Sequence, residues 1–374
     1  MKVLILTSWY PSRIDPVYGS FVLEFAKALA PYCEVTVVAP IPVVKRIEKK
    51  LPFTEDEKDG GVRTIRIYYK KPLIFGRIAG LWHFVKGLRL LINSGYRPEV
   101  INAHVHYSAL PAFWIPALKN TPVAVSEHSS VFLSKKGPGF FSGFLARYIF
   151  KRVKIILPVS RYLMDALSKY SGKTPMEVVQ NTYDTALFNA KNRAGLKKKT
   201  KRLLFVGALV PVKGVDILLR AFSLVTDTST VLDIVGDGNK RREYEELALT
   251  LGVKDRVRFH GFLPKNEVAS IMAKSDLFVL ASRSETFGCV LMEAAGTGLP
   301  SVAVRVGGVS DVVNIVTGVL VPSDSPQAFA KEIDKMLPLL DKYKPEAVSA
   351  EAEARFSHKI VGKKLEAILK QLLN

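Results

Sequence analysis

The sequence predicts an α/β protein of two doubly wound, Rossmann-like domains, and three observations predict it. The chain has 374 residues, long for a single hydrophobic core. Short apolar runs alternate with stretches of helical period through both halves. Between the two series lies a basic segment, 191–201, with almost no apolar content. Strands that alternate with helices pair in parallel, and such a sheet needs helices over both faces.

In the first series, 2–7 reads as a strand, 20–30 as a helix, and 34–39 and 62–67 as strands. A helix follows at 77–92, then strands at 100–103, 122–125 and 153–159, and a helix at 161–169. Residues 45–61 interrupt this rhythm with charges and a Gly pair, which predicts a loop or an insertion. After 191–201, read as a linker, strands are expected at 202–206, 231–235, 257–260, 277–281 and 301–304. Helices at 215–225, 242–251 and 267–273 separate them. The last helix, 359–373, carries an apolar stripe from Ile360 to Leu373 that must be buried.

Hydrophobic residues make up 48% and charged residues 24%, the balance of a folded enzyme rather than a disordered chain. Cys33 and Cys289 are too few for a disulfide framework and lack metal-ligand spacing, which suits a reducing, cytoplasmic setting. No apolar run reaches the length of a membrane span, and the first residues form a short strand rather than a secretory signal. The formal charge is +20, and residues 1–190 carry 26 Lys and Arg against 13 Asp and Glu. Between Gly60 and Ser160 there are 15 basic residues and two acids, Glu99 and Glu127. Either this is a solvated surface, or the first half holds an anionic partner.

The chemistry concentrates between the strands 277–281 and 301–304, from Ser282 to Pro300. Glu285 lies in the loop after a strand, the amides of Phe287, Gly288 and Cys289 are expected in the first helical turn, and Glu293 follows on that helix. Free amides at a helix start suit phosphate, and a carboxylate accepts hydrogen bonds from sugar hydroxyls, so the combination asks for a nucleotide sugar. Gly207 to Gly214 joins another strand to a helix and brings Lys213 beside a helix start, where its ammonium would neutralise a diphosphate.

This stretch resembles the donor-binding signature of the family 4 retaining glycosyltransferases, and the likeness continues through Gly207–Gly214, Val235–Gly238, Phe259–Leu263 and Val306–Val309. The resemblance implies the GT-B fold, two Rossmann-like domains facing across a cleft. Residues 1–190 would form the acceptor-side domain, 202–358 the nucleotide-sugar-binding domain, and 359–374 a helix packing back on the first. It also implies retaining, metal-independent transfer from a nucleotide-diphosphate sugar to a hydroxyl acceptor, with no cofactor beyond the donor substrate. By position in the motifs, Glu293 would accept from the ribose hydroxyls and Glu285 from the donor sugar. Thr286, Phe287 and Gly288 would offer amides beside it, and Gly261, Phe262 and Leu263 would hold the nucleobase, although Phe262 also suits a core position. Gly236, Gly238, Gly307 and Gly308 read first as tight turns. The family commonly has an arginine directly after the first glycine of the Lys213 loop, and this chain has Ala208.

In the first half, Gly19 falls where the family's glycine loop meets the donor phosphates. His128 falls where members place a histidine that polarises the donor or positions the acceptor. Alone, a histidine after a strand is more often structural. His104 and His106 form a spaced pair without an accompanying carboxylate or cysteine, a poor metal site. GT-B epimerases and phosphorylases are close rivals. From another class come a non-catalytic, degenerate GT-B binding protein and a basic nucleic-acid binder. Lys213, Glu285 and Glu293 together argue against the former, and the absence of a recognised nucleic-acid motif against the latter. The acid-free stretch 130–154 mixes aromatics with cations, among them Lys135, Lys136, Lys151 and Arg152: either the aromatics are core and the cations solvated, or the stretch makes peripheral contact with an anionic membrane and meets a lipid-linked or polysaccharide-precursor acceptor.

Overall fold

The computed structural model describes residues 1–43, 53–72, 76–134, 136–193, 200–322 and 325–373. They divide into two units: 1–182 together with 358–374, and 183–357. The division thus falls at Thr182/Tyr183, ahead of the segment read as a linker, of which 194–199 lie outside the described residues.

The first unit contains strands β1 (Lys2–Thr7), β2 (Glu34–Val43), β3 (Thr54–Asp59), β4 (Val62–Lys70), β5 (Val100–His104), β6 (Val123–Glu127) and β7 (Ile155–Pro158). Its helices before the division are α1 (Ser20–Leu29), α2 (Gly76–Asn93), α3 (Leu110–Phe113), α4 (Gly139–Phe150) and α5 (Arg161–Ser171). The sheet runs β3-β4-β2-β1-β5-β6-β7, parallel except for the β3–β4 pair. The central strand β1 buries five consecutive residues, as a strand covered on both faces must.

Within 45–61, read as a loop or an insertion, residues 45–52 lie outside the described residues, and 54–59 form the strand β3 rather than a loop. Its sequence, TEDEKD, has no apolar alternation, because it is an exposed edge strand. Cross-strand charge pairing supports it: Asp56 pairs with Arg63 at 2.7 Å, and Glu57 with Arg66 at 2.8 Å. Two cations of the first half are therefore neutralised locally.

Parallel crossovers are right-handed. The connections β4→β5, β5→β6 and β6→β7 all step in one direction across the sheet, so α2, α3 and α4 cover the same face. The connection β1→β2 steps the other way and puts α1 on the opposite face.

The second unit contains β8 (Arg202–Val206), β9 (Val231–Val235), β10 (Val257–Gly261), β11 (Leu277–Leu280), β12 (Ser301–Val304) and β13 (Gly318–Val321). They form an all-parallel sheet in the order β10-β9-β8-β11-β12-β13. Its helices are α6 (Val215–Ser223), α7 (Arg241–Thr250), α8 (Lys265–Ala273), α9 (Cys289–Gly296), α10 (Pro326–Met336) and α11 (Pro345–Phe356). Phe205, Phe222, Phe278 and Phe329 are fully buried around this sheet. The order reverses between β8 and β11, and in open parallel sheets ligands bind outside the carboxyl ends of the strands at such a switch point.

The last helix, α12 (His358–Gln371), belongs to the first unit and packs on α1. Val361, Leu365, Ile368 and Leu369 join Val22, Phe25, Ala26 and Leu29 in one core. Its entry is fixed by His358, whose Nε2 lies 2.9 Å from Oε2 of the buried Glu24.

Candidate functional site

At the switch point of the second unit, the loops after β8 and β11 meet. Lys213 Nζ donates to Glu285 Oε1 at 2.7 Å, and Ser282 Oγ donates to the same oxygen at 2.9 Å. Glu285 is only 8% exposed, so its charge is held by these partners rather than by bulk water.

The backbone of each loop is fixed by close contacts. Arg283 N–H donates to Val212 O at 2.8 Å, its guanidinium donates to Pro211 O at 2.7 Å, and it forms a bidentate pair with Asp216 at 2.8 and 2.6 Å. One arginine thus ties the Lys213 loop to the Glu285 loop. Gly307 has φ 53, and a Cβ there would fall 1.8 Å from Glu285 O; Gly308 N–H donates to that same carbonyl at 3.1 Å. The glycine pair read as a turn is therefore the support on which the Glu285 backbone rests. A Cβ at Gly214, which has φ 63, would fall 1.9 Å from Ala281 O, so these two loops touch backbone to backbone.

The helix α9 starts at Cys289, with Gly288 as its cap, two residues later than the sequence suggested. Phe287 lies before the helix because Gly288, with φ 92, is in the left-handed region; the Phe287 ring is fully buried and packs edge-on against Phe356 at 5.6 Å. Glu293 stands one turn inside α9, and Lys265 Nζ lies 3.6 Å from its Oε1. Cys289 sits among these groups: burial, and then the charges of Glu293 and Glu285, push its thiol up to about 12. It is a protonated thiol at neutral pH and a poor nucleophile.

Gly261 ends β10, and Phe262 is 54% exposed, so it is not a core residue. Ala208 is exposed on the Lys213 loop. Sequence reasoning assigned no role to Ser282, three residues before Glu285 in the same loop, and missed Lys265 and the Arg283–Asp216 clamp, which join residues far apart in the chain.

In the first unit, His128 follows β6 and is buried. Its Nε2 lies 3.0 Å from Nδ1 of His104, with the rings stacked at 5.1 Å. Burial foremost, and then the neighbouring ring, holds His128 well below the usual histidine range; burial takes His104 down to about 3. Both are neutral hydrogen-bonding groups at physiological pH. Phe21 lies 4.6 Å from the His128 ring, and Trp9 and Tyr18 continue this aromatic line to the surface.

His106 points elsewhere, to the fully buried Glu127. Oε2 of Glu127 accepts from His106 N–H at 3.0 Å and lies 2.7 Å from its Nδ1, while Oε1 accepts from the amides of His128 and Ser129 at 3.0 and 2.9 Å. Val105, between His104 and His106, has φ 67, an outlier for a β-branched residue, and is wholly buried. Gly19, with φ 72, caps α1 with its Cα pressed against the Trp9–Tyr10 backbone.

Residues 19–187 match the family described as Glycosyltransferase Family 4, and residues 188–354 match that described as Glycosyl transferases group 1. The chain belongs to glycosyltransferase family 4. This family 4 chain is 32% identical over 186 residues to a D-inositol 3-phosphate glycosyltransferase of Corynebacterium glutamicum, an alignment covering 47% of it and 44% of the relative. It therefore spans less than half the length of that relative. With a glycogen synthase of Mycobacterium tuberculosis it shares 26% over 344 residues, 85% of this chain and 82% of the other.

Among solved structures, a sucrose-phosphate synthase from Thermosynechococcus elongatus superposes with a TM-score of 0.81 at 21% identity, covering 100% and 99% of the two chains. Anabaena HepE in complex with UDP-glucose gives 0.74 at 19%, covering 99% and 100%. The two α/β sheets of this family 4 protein are those of the GT-B fold.

Proposed function

We propose that this protein transfers a sugar from a nucleoside diphosphate donor to a hydroxyl acceptor on a lipid-linked or polysaccharide precursor, with retention of anomeric configuration. The observation that carries this reading is the 2.7 Å pair of Lys213 and Glu285 beside the start of α9. A cation and free helix amides suit a departing diphosphate, and a largely desolvated carboxylate suits the hydroxyls of the sugar it leaves.

In the resting site, Glu285 holds the ammonium. When a donor enters, the diphosphate competes for Lys213, and Glu285 turns its acceptor capacity to the sugar. Glu293 takes the ribose hydroxyls, and the Gly261–Phe262–Leu263 loop takes the base, with Phe262 exposed for stacking. Thr286, Phe287 and Gly288 contribute through their backbone, since the Phe287 side chain is committed to the core. With leaving-group charge met by Lys213 and amides, the transfer needs no metal ion, and retention follows a front-face, ion-pair-like route. In the first unit, neutral His128 positions the acceptor. A UDP- or ADP-type donor is favoured by the structural relatives described with UDP-glucose and with ADP.

Two variants test the division of roles. Glu293→Ala should weaken nucleoside diphosphate binding, read by the shift in melting temperature that the ligand causes. Glu285→Ala should leave that shift undiminished, or raise it by freeing Lys213, and lower kcat by about a hundredfold, because of the two carboxylates only Glu285 touches the sugar that changes charge in the transition state. Equal loss of affinity in both variants overturns the assignment. NMR of the product should show the donor's anomeric configuration, formed equally with a chelator present.

A further inference from the structure

We infer that the α2–α3–α4 face of the first unit docks on an anionic membrane surface. This face follows from topology, since the three helices lie on one side of the sheet. It is unusually apolar for a surface. On α4, Phe140, Phe141 and Phe144 are 93%, 79% and 61% exposed. On α2, Ile78 and Trp82 stand one helical turn apart at 64% and 58%, and Leu90, two turns further, is 52% exposed.

Three phenylalanines in five residues have no structural use on a solvated helix, whose own core contacts are made by Ala146, Ile149 and Phe150. They stand at the start of α4, while Arg147 lies in its last turn and Lys151 and Arg152 follow directly after it. The Arg152 guanidinium carbon lies 3.7 Å from the centre of the Tyr148 ring, and the Lys86 ammonium 5.3 Å from that of Trp82, so cations and rings are interleaved.

Charge selects the occupant. From Gly76 to Lys154 the acids are Glu99 and Glu127. Glu127 is wholly buried and spent on internal amides, and Glu99 accepts from the Lys2 amide at the start of β1, so neither offsets the cations of these helices. Aromatics that enter the headgroup layer, ringed by cations that meet anionic lipid, match this pattern. A second copy of the chain would bring like charge against like. Among the described residues no helix is long and apolar enough to cross a membrane, so the contact is peripheral. On the transferase reading, which this deepens, docking would bring the enzyme to a lipid-linked acceptor.

Co-sedimentation with vesicles tests it, using phosphatidylcholine alone and phosphatidylcholine mixed with phosphatidylglycerol. The wild type should sediment only with the mixed vesicles, and less so as salt is raised. Phe140→Ser/Phe141→Ser/Phe144→Ser and Lys136→Gln/Lys151→Gln/Arg152→Gln should each lose about tenfold in partitioning at an unchanged melting temperature. Lys135, grouped with these cations on the sequence, lies outside the described residues. A wild type that stays in the supernatant at low salt, triple variants that bind equally, or a wild-type dimer that the Phe substitutions dissociate, each overturns the inference. The melting shift caused by a nucleoside diphosphate, read on the same preparations, separates the two readings. Its loss indicts the donor site, and loss of sedimentation alone indicts the membrane face.

Discussion

Glu127 is a fully buried carboxylate with four backbone or ring donors, three of which set where His106 and His128 stand. Removing it leaves buried N–H groups unpaired, which is expensive. Glu127→Ala should therefore cost about 3–5 kcal/mol of stability, measured by urea unfolding. Glu127 and His128 were visible in the sequence as neighbours after a strand, but their partners were not. His104 lies 24 positions away and meets His128 only because β5 and β6 pair with His104 opposite Ser126. His104 and His106 look like a pair in the sequence, yet the strained Val105 between them sends one to His128 and the other to Glu127. Residue spacing carries no trace of such a kink.

Elements were legible where burial dictated composition. The strands β11 and β12 are wholly buried and read as apolar runs, whereas β3 lies at a sheet edge and is written in charges. The start of α9 falls later than the pattern suggests because Gly288 takes a left-handed φ of 92, which an α-helix cannot include. The stripe of α12 announced burial, and the detail that makes it work is Gly362. A Cβ there would stand 2.0 Å from Ala28 O, so α1 and α12 cross backbone against backbone. Gly362→Ala should force the helices apart and cost about 1–3 kcal/mol, read as a lower melting temperature. An alanine elsewhere on α12, at exposed Lys363, should leave it unchanged.

For the molecule as a whole, the buried histidines set an acid limit. In the folded state His104 protonates only at about 3 and His128 well below its usual range, because burial penalises the charged ring. Unfolded, both take up protons near about pH 6.5. The folded chain then binds fewer protons, so this stability is complete above that pH and is lost on acidification. Each neutral histidine contributes about 1.4 kcal/mol per pH unit to the slope. Urea unfolding between about pH 7 and 5 should show this fall, and His104→Leu should remove about one proton from it. The two-unit plan was legible in outline, from the doubled alternation, but the place of the division was not, since Tyr183 and Ser357 are joined by a β-bridge that only the fold creates. That division makes 183–357 one uninterrupted stretch, while the first unit is split around it. During synthesis, then, α1 emerges long before α12, and its apolar side waits uncovered while the whole second unit is made. The first unit must therefore close last, with Val22, Phe25 and Leu29 open to chaperones or to misassembly until α12 arrives.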